Sequence, residues 1–205
     1  MTSRASAAFA RPSPVLADLL PGELVRDLVL VFAAAGLIGA LAQLSVRLPG
    51  TPVPVTGQTL GVLLASCALG QRRALGSTAL YAALGLLGLP WFANHSAGWQ
   101  GASTGYLLGF ILAAAVVGFL AERGADRSLV GALSTMLAGE VAIYLLGVGW
   151  LALDLHVTLV RAIALGFSPF LIGDALKMLL AATLLPMTWR LLGVPRQGFS
   201  WRRRG

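Results

Sequence analysis

Apolar residues run along this chain in long, almost uncharged blocks, broken by short polar or Pro/Gly-rich segments. The first block, Leu28 to Val46, carries no charge; about 20 residues at about 1.5 Å each match a hydrocarbon core about 30 Å thick. Thr59 to Leu69 and Ala74 to Phe92, split by Gln71-Arg72-Arg73, predict a helical hairpin with a basic tip, and Gly88-Leu89-Pro90 ends its second arm. The first arm is short for a full span, so neighbours shelter it or the preceding loop continues it. Gly105 to Ala121 and Ser128 to Leu153 give a fourth and a fifth helix. Ser168-Pro169, as N-cap and first helical residue, opens a sixth inside the apolar run Ala162 to Trp189. The pattern predicts an all-α integral membrane bundle of six transmembrane helices.

Two of the intervening segments are more than connections. Arg47 to Gln58 has three prolines and two glycines, which exclude a continuous helix and favour extended or turn geometry. Non-helical backbone beside a membrane must be buried in protein or line an aqueous cavity, so this loop suits the wall or lid of a binding site. Trp91 to Thr104 is aromatic and polar without Lys or Arg; Asn94, His95, Gln100, Ser103 and Thr104 suit the orientation of a weakly polar ligand. Three parts are expected along the chain: a tail with a possible interfacial segment over 1–24, the membrane domain over 25–193, and a basic tail over 194–205.

Composition agrees with the pattern. The 205 residues are 57% hydrophobic and 11% charged, against roughly 25% charged in a soluble domain. A net charge of +7 would suggest nucleic acid in a soluble protein, but these arginines lie between or outside the apolar blocks and serve topology instead. Arg4, Arg11, Arg26, Arg72, Arg73, Arg123, Arg127, Arg190, Arg196, Arg202, Arg203 and Arg204 fall on one side of the six-helix arrangement, and Arg47 and Arg161 on the other. The positive-inside rule therefore places both termini in the cytoplasm of a multi-pass inner (cytoplasmic) membrane protein, with loops 47–58, 91–104 and 154–168 outside. Cys67, the single cysteine, reads as a small buried hydrophobe.

Charge inside the blocks is rare and therefore informative. Asp174 and Lys177 sit three apart in the last helix, on one face, offering an acceptor and a cationic donor. A charge at bilayer depth is costly unless it faces a partner or a wet cavity, which makes the pair the prime functional candidate. Glu140 in the fifth helix is a third such group; pairing with Lys177, titration during transport and a neutral role all fit one acid alone. The chain shows no G-x-x-x-x-G-K-[ST], no G-x-S-x-G and no H-E-x-x-H, and both His95 and His156 fall in loops, so ATP hydrolysis, a serine nucleophile and a zinc site of its own are not expected. A further small-xxx-small pattern, Ala35 with Gly39 and Gly36 with Ala40, allows close helix approach, equally suited to internal packing and to docking a membrane partner.

Four strings in series carry a resemblance. Pro52-Val53-Pro54-Val55-Thr56-Gly57-Gln58-Thr59-Leu60, Gly88-Leu89-Pro90-Trp91-Phe92-Ala93, Gly105-Tyr106-Leu107-Leu108-Gly109-Phe110 and Pro169-Phe170-Leu171-Ile172-Gly173-Asp174-Ala175-Leu176-Lys177 resemble the biotin-specific substrate-binding (S) components of energy-coupling-factor transporters, the BioY family, over residues 28–193. The resemblance implies high-affinity capture of biotin outside and delivery inward with a transmembrane coupling subunit and two ABC-type ATPases. It further implies no bound cofactor and ATP use only by the partners. It implies binding by Asp174 and Lys177, with a contact from Asn94; a carboxylate can accept the ureido N–H groups, and an ammonium can attract the valerate carboxylate. Which end of biotin Lys177 meets stays open. Trp91, Phe92, Tyr106 and Phe110 would enclose the bicycle, Thr56, Gln58, Ser103 and Thr104 add polar groups, and Ala35, Gly36, Gly39 and Ala40 resemble the alanine-rich face that docks to the coupling subunit. The chain departs from the family pattern at Gly101-Ala102-Ser103-Thr104-Gly105, where Gly-Pro-Thr-Gly-Gly is usual, and at Arg47, where an apolar residue or proline is expected. The alternative is a stand-alone or proton-coupled secondary transporter of biotin or another small vitamin, with Glu140 or Asp174 as the proton carrier.

Overall fold

A computed structural model describes residues 13–193. The long elements are helices α1 (Leu24–Ala42), α2 (Gln58–Leu69), α3 (Gln71–Leu86), α4 (Thr104–Ala121), α5 (Leu129–Asp154), α6 (Leu159–Gly166) and α7 (Leu171–Leu191). Between α1 and α2 lies a two-stranded ribbon, β1 (Ser45–Val46) against β2 (Val55–Thr56), antiparallel with Ser45 opposite Thr56. Four stretches among the described residues, Leu24–Ala42, Gly101–Ala121, Leu129–Asp154 and Leu159–Leu191, are long and apolar enough to cross a membrane. At 12 and 16 residues, α2 and α3 are shorter than a full span. The bundle is built around α4: 61% of its apolar stretch is buried in protein, against 22% for α1 at the periphery.

Small residues set the centre. A Cβ at Gly109 would lie 2.7 Å from the Ile143 carbonyl oxygen, and one at Gly105 would lie 2.6 Å from that of Leu146, so α4 and α5 touch backbone to backbone. Gly70, at φ +77°, makes the α2–α3 turn alone. The tip predicted at Gln71-Arg72-Arg73 is instead the first turn of α3, whose free Gln71 N–H is met at 2.8 Å by Glu122 Oε1, an anion at a helix N-terminus. The connection predicted over 154–168 contains α6, started by Thr158, whose hydroxyl accepts from the Arg161 N–H at 3.3 Å. Ser168–Phe170 forms a 3-10 turn with Pro169 near its start, so α7 becomes α-helical only at Leu171.

Basic groups collect at one end of the bundle. Arg73 pairs with Asp18 (2.7 Å) and Asp27 (3.0 Å), and Arg127 stacks over Trp189, whose indole N–H donates to Asp126 at 2.7 Å. Burial raises the Asp126 carboxyl above its ordinary value. The segment Met1 to Pro14, expected to be a tail, is already packed at its last two residues: the Ser13 N–H donates to the Glu122 carbonyl at 2.6 Å and Arg127 to the Pro14 carbonyl at 2.9 Å. Val15 and Ala17 beyond it are buried in the core of this end. The tails over 1–12 and 194–205 lie outside the described residues. Ribbon, polar loop and the N-termini of α2, α4 and α7 gather at the opposite end.

Candidate substrate site

A cavity of about 400 Å³ opens at the ribbon end, within the range of small-molecule pockets. Asp174 lies at its floor, 4% exposed. One carboxylate oxygen accepts from Lys177 Nζ at 2.7 Å, and the other accepts the Tyr144 hydroxyl of α5. Both sides of the carboxylate are thus steered by donors, and its remaining lone pairs are left for a ligand.

Lys177 is fully engaged. Besides Asp174, its ammonium donates to the Thr56 carbonyl and to Thr59 Oγ1, both at 2.8 Å. An ammonium has three N–H bonds, so all of them are used. Lys177 therefore ties β2 and the first turn of α2 to α7, holding the proline-rich segment as a wall. Gln58 strengthens this corner: its amide donates to the Tyr81 hydroxyl at 2.5 Å and accepts from Thr56 Oγ1 at 2.9 Å.

The polar loop is fastened by Gln43 at the C-terminal cap of α1, whose amide nitrogen donates to the carbonyls of Trp91 (3.0 Å) and Phe92 (3.2 Å) and whose oxygen accepts the His95 N–H at 3.1 Å. Asn94 is thereby held at φ 57°, ψ 38°, the left-handed region that asparagine tolerates well. Its Oδ1 accepts from Ser45 at 3.0 Å, which leaves its amide N–H groups for the cavity. Apolar walls come from Phe92, Phe110, Ile143, Phe170 and the ring of Tyr106, whose hydroxyl is held by the Gly166 carbonyl at 2.7 Å.

Of the expected site residues, Asp174, Lys177, Asn94, Tyr106, Phe92, Thr56, Gln58 and Ser103 line this one cavity. Trp91 and Thr104 do not. The Trp91 indole donates to the Tyr81 carbonyl at 3.0 Å and lies against Gly39, where a Cβ would meet its ring at 3.1 Å, so it backs the loop from behind. Thr104 is buried in the first turn of α4, its hydroxyl without a partner among the described residues. The expected docking face also divides. Ala35 and Gly39 are buried in the bundle, whereas Gly36 and Ala40 on the next face are exposed. Tyr144 and Thr59 line the cavity without having been singled out, and Arg47 lines it as the first residue of the loop expected to wall it. Tyr144 had a readable signal: it follows Glu140 by four residues, on the same face of α5.

Glu140 is 4% exposed, with neither oxygen hydrogen-bonded among the described residues. Because α5 and α7 run antiparallel with Tyr144 level with Asp174, Glu140 comes level with Lys177, one turn beyond Asp174. No group of three or more His, Cys, Asp or Glu among the described residues is placed to hold a metal ion.

The family model described as the BioY family matches residues 7–194. The chain belongs to the BioY family. It is 38% identical over 169 residues to the biotin transporter BioY of Thermotoga maritima, covering 81% of this chain and 95% of that protein. To the probable biotin transporter BioY of Pyrococcus horikoshii it is 38% identical over 170 residues, 82% of this chain and 95% of that one. The fold is shared with a crystallised S-component for biotin from an ECF-type ABC transporter, at a TM-score of 0.74 and 23% identity over 81% of this chain and 92% of that one. BioY proteins are transporters, not enzymes, and the resemblance read from the four strings is thereby established.

Proposed function

We propose that this BioY chain is the substrate component of an energy-coupling-factor uptake system: it captures biotin on the outer face of the cytoplasmic membrane and passes it inward with a coupling subunit driven by two ABC-type ATPases. The observation that carries this reading is the buried Asp174 carboxylate at the floor of a cavity with apolar walls. Biotin has matching chemistry: a ureido head with two N–H donors, an apolar bicycle and a flexible tail. In this reading Asp174 accepts from the ureido ring, Asn94 donates to it, and Phe92, Tyr106 and Phe110 enclose the bicycle. Lys177, with all three hydrogens engaged, orients Asp174 and secures the wall. The exposed Gly36 and Ala40 face of α1 is the part of the small-residue pattern left for a membrane partner. Arginines at the far end agree with termini in the cytoplasm.

Calorimetric titration of the detergent-purified chain with biotin, riboflavin and thiamine tests the ligand class. Heat of binding is expected with biotin only, and saturable binding of another vitamin in its place overturns the reading. A second reading, proton-coupled transport without ATPases, has one observation in its favour: the buried Glu140, without a hydrogen-bond partner among the described residues. Biotin uptake by cells producing this chain alone separates the two. Uptake is expected to need the coupling module; uptake that persists without any ATPase and collapses with the proton gradient would select the second.

A further inference from the structure

The cavity is charged at both ends, and among the described residues that line it one cation, Arg47, has donors to offer. At the floor, the three N–H groups of Lys177 are taken by Thr56, Thr59 and Asp174. At the mouth, Arg47 follows directly on β1, exposed and lining the same cavity. Among the described residues it enters no salt bridge, since the ion pairs there involve Arg26, Arg73 and Lys177. Its backbone is nevertheless held in place: β1 pairs with β2 through Ser45 and Thr56, and Thr56 is the residue whose carbonyl Lys177 grips. Phe92, Phe110 and Ile143 give the same cavity apolar wall, beside polar groups from Asn94, Ser96, Gln100 and Ser103.

We propose that Arg47 is the carboxylate-binding residue of this site, holding the anionic tail of the ligand at the mouth while Asp174 holds its head at the floor. The assignment rests on the biotin reading above. A guanidinium presents a planar fork that meets both oxygens of a carboxylate at once, which an ammonium does not. The alternative, in which Lys177 turns from its three acceptors to the ligand carboxylate, would leave Asp174 without its cation and Thr56 without its anchor. A bound ligand would then loosen the wall that encloses it. The geometry points to a chain in which head recognition and tail recognition belong to different residues, with selectivity for an acid over its neutral derivatives set at the rim.

The test compares biotin with biotinamide, which keeps the ureido head and bicycle but replaces the carboxylate with a neutral amide, on the full purified chain by calorimetry. The wild-type chain is expected to prefer biotin by about tenfold, the lower end for a hydrogen bond to a charged group. In Arg47→Gln that preference disappears through weaker biotin binding, while biotinamide affinity is unchanged. Arg47→Lys restores part of it, and added salt erodes the wild-type preference because the rim is open to solvent. If Arg47→Gln keeps the preference, or weakens both ligands alike, the assignment is overturned while the biotin reading stands. If the wild-type chain binds neither compound and still unfolds cooperatively on heating, the biotin reading fails and Arg47 goes with it.

Discussion

Asp174→Ala is expected to weaken biotin binding by about 10- to 100-fold, the effect of losing one or more hydrogen bonds to a buried charge. The chain should still fold. Lys177 keeps two of its three acceptors, the Thr56 carbonyl and Thr59 Oγ1, so its ammonium is not stranded. Tyr144 loses its acceptor but borders the cavity, where water can take the place of the carboxylate. Asp174→Asn should weaken binding as well, although the shape is kept, because an amide has one acceptor oxygen in place of two and turns N–H groups toward Lys177 or the ligand. Calorimetry of each variant beside its thermal transition decides the matter. Wild-type affinity in a normally folded Asp174→Ala chain is the result that would remove Asp174 from the site.

The largest stability effect is expected at a position that carries no charge. Gly109→Val should cost about 3 kcal/mol or more, the upper end for overpacking, because the atoms a Cβ would meet at 2.7 and 2.8 Å are the Ile143 carbonyl oxygen and Cα. Backbone cannot turn aside as a side chain can. For a chain of this size that predicts a drop of about 6 to 12 °C in the unfolding midpoint. Gly149→Ala, on the facing helix α5, is the control: nothing lies within 4 Å of the added Cβ, so its midpoint should be unchanged or slightly raised. Equal midpoints for wild type and Gly109→Val would mean that α4 and α5 are not in backbone contact.

Physical reasons separate what was legible in the sequence from what was not. Asp174 and Lys177 stood out because ionisable groups in an apolar helix are rare and costly, and they do meet at the cavity floor. Tyr144 was passed over because a tyrosine among Leu, Ile and Val reads as core; only its spacing from Glu140 hinted otherwise. Trp91 and Thr104 were placed in the pocket by loop composition, which cannot tell the inner surface of a loop from its back. The pairs at Ala35/Gly39 and Gly36/Ala40 look alike as strings, yet one-residue displacement on a helix is a turn of about 100°, enough to bury the first pair and expose both members of the next. The eight-residue α6 is not legible as a separate helix because its apolar string runs on into the last block, divided from it only by the turn at Ser168-Pro169. Arg47 was noticed only as a misfit, and its meaning depended on finding Lys177 already occupied.

The brevity of α2 shapes how far a ligand has to be carried. Twelve residues rise about 18 Å, while the hydrocarbon layer is about 30 Å deep. In the proposed orientation, with the C-terminal end of α2 at the inner boundary, the space above the first turn of α2 is taken by the ribbon and the cavity, and a molecule resting against Thr59 lies about 12 Å below the outer boundary before any powered step. What is left for any powered step is the stretch between Thr59 and the arginine-bearing end, a little over half of the barrier.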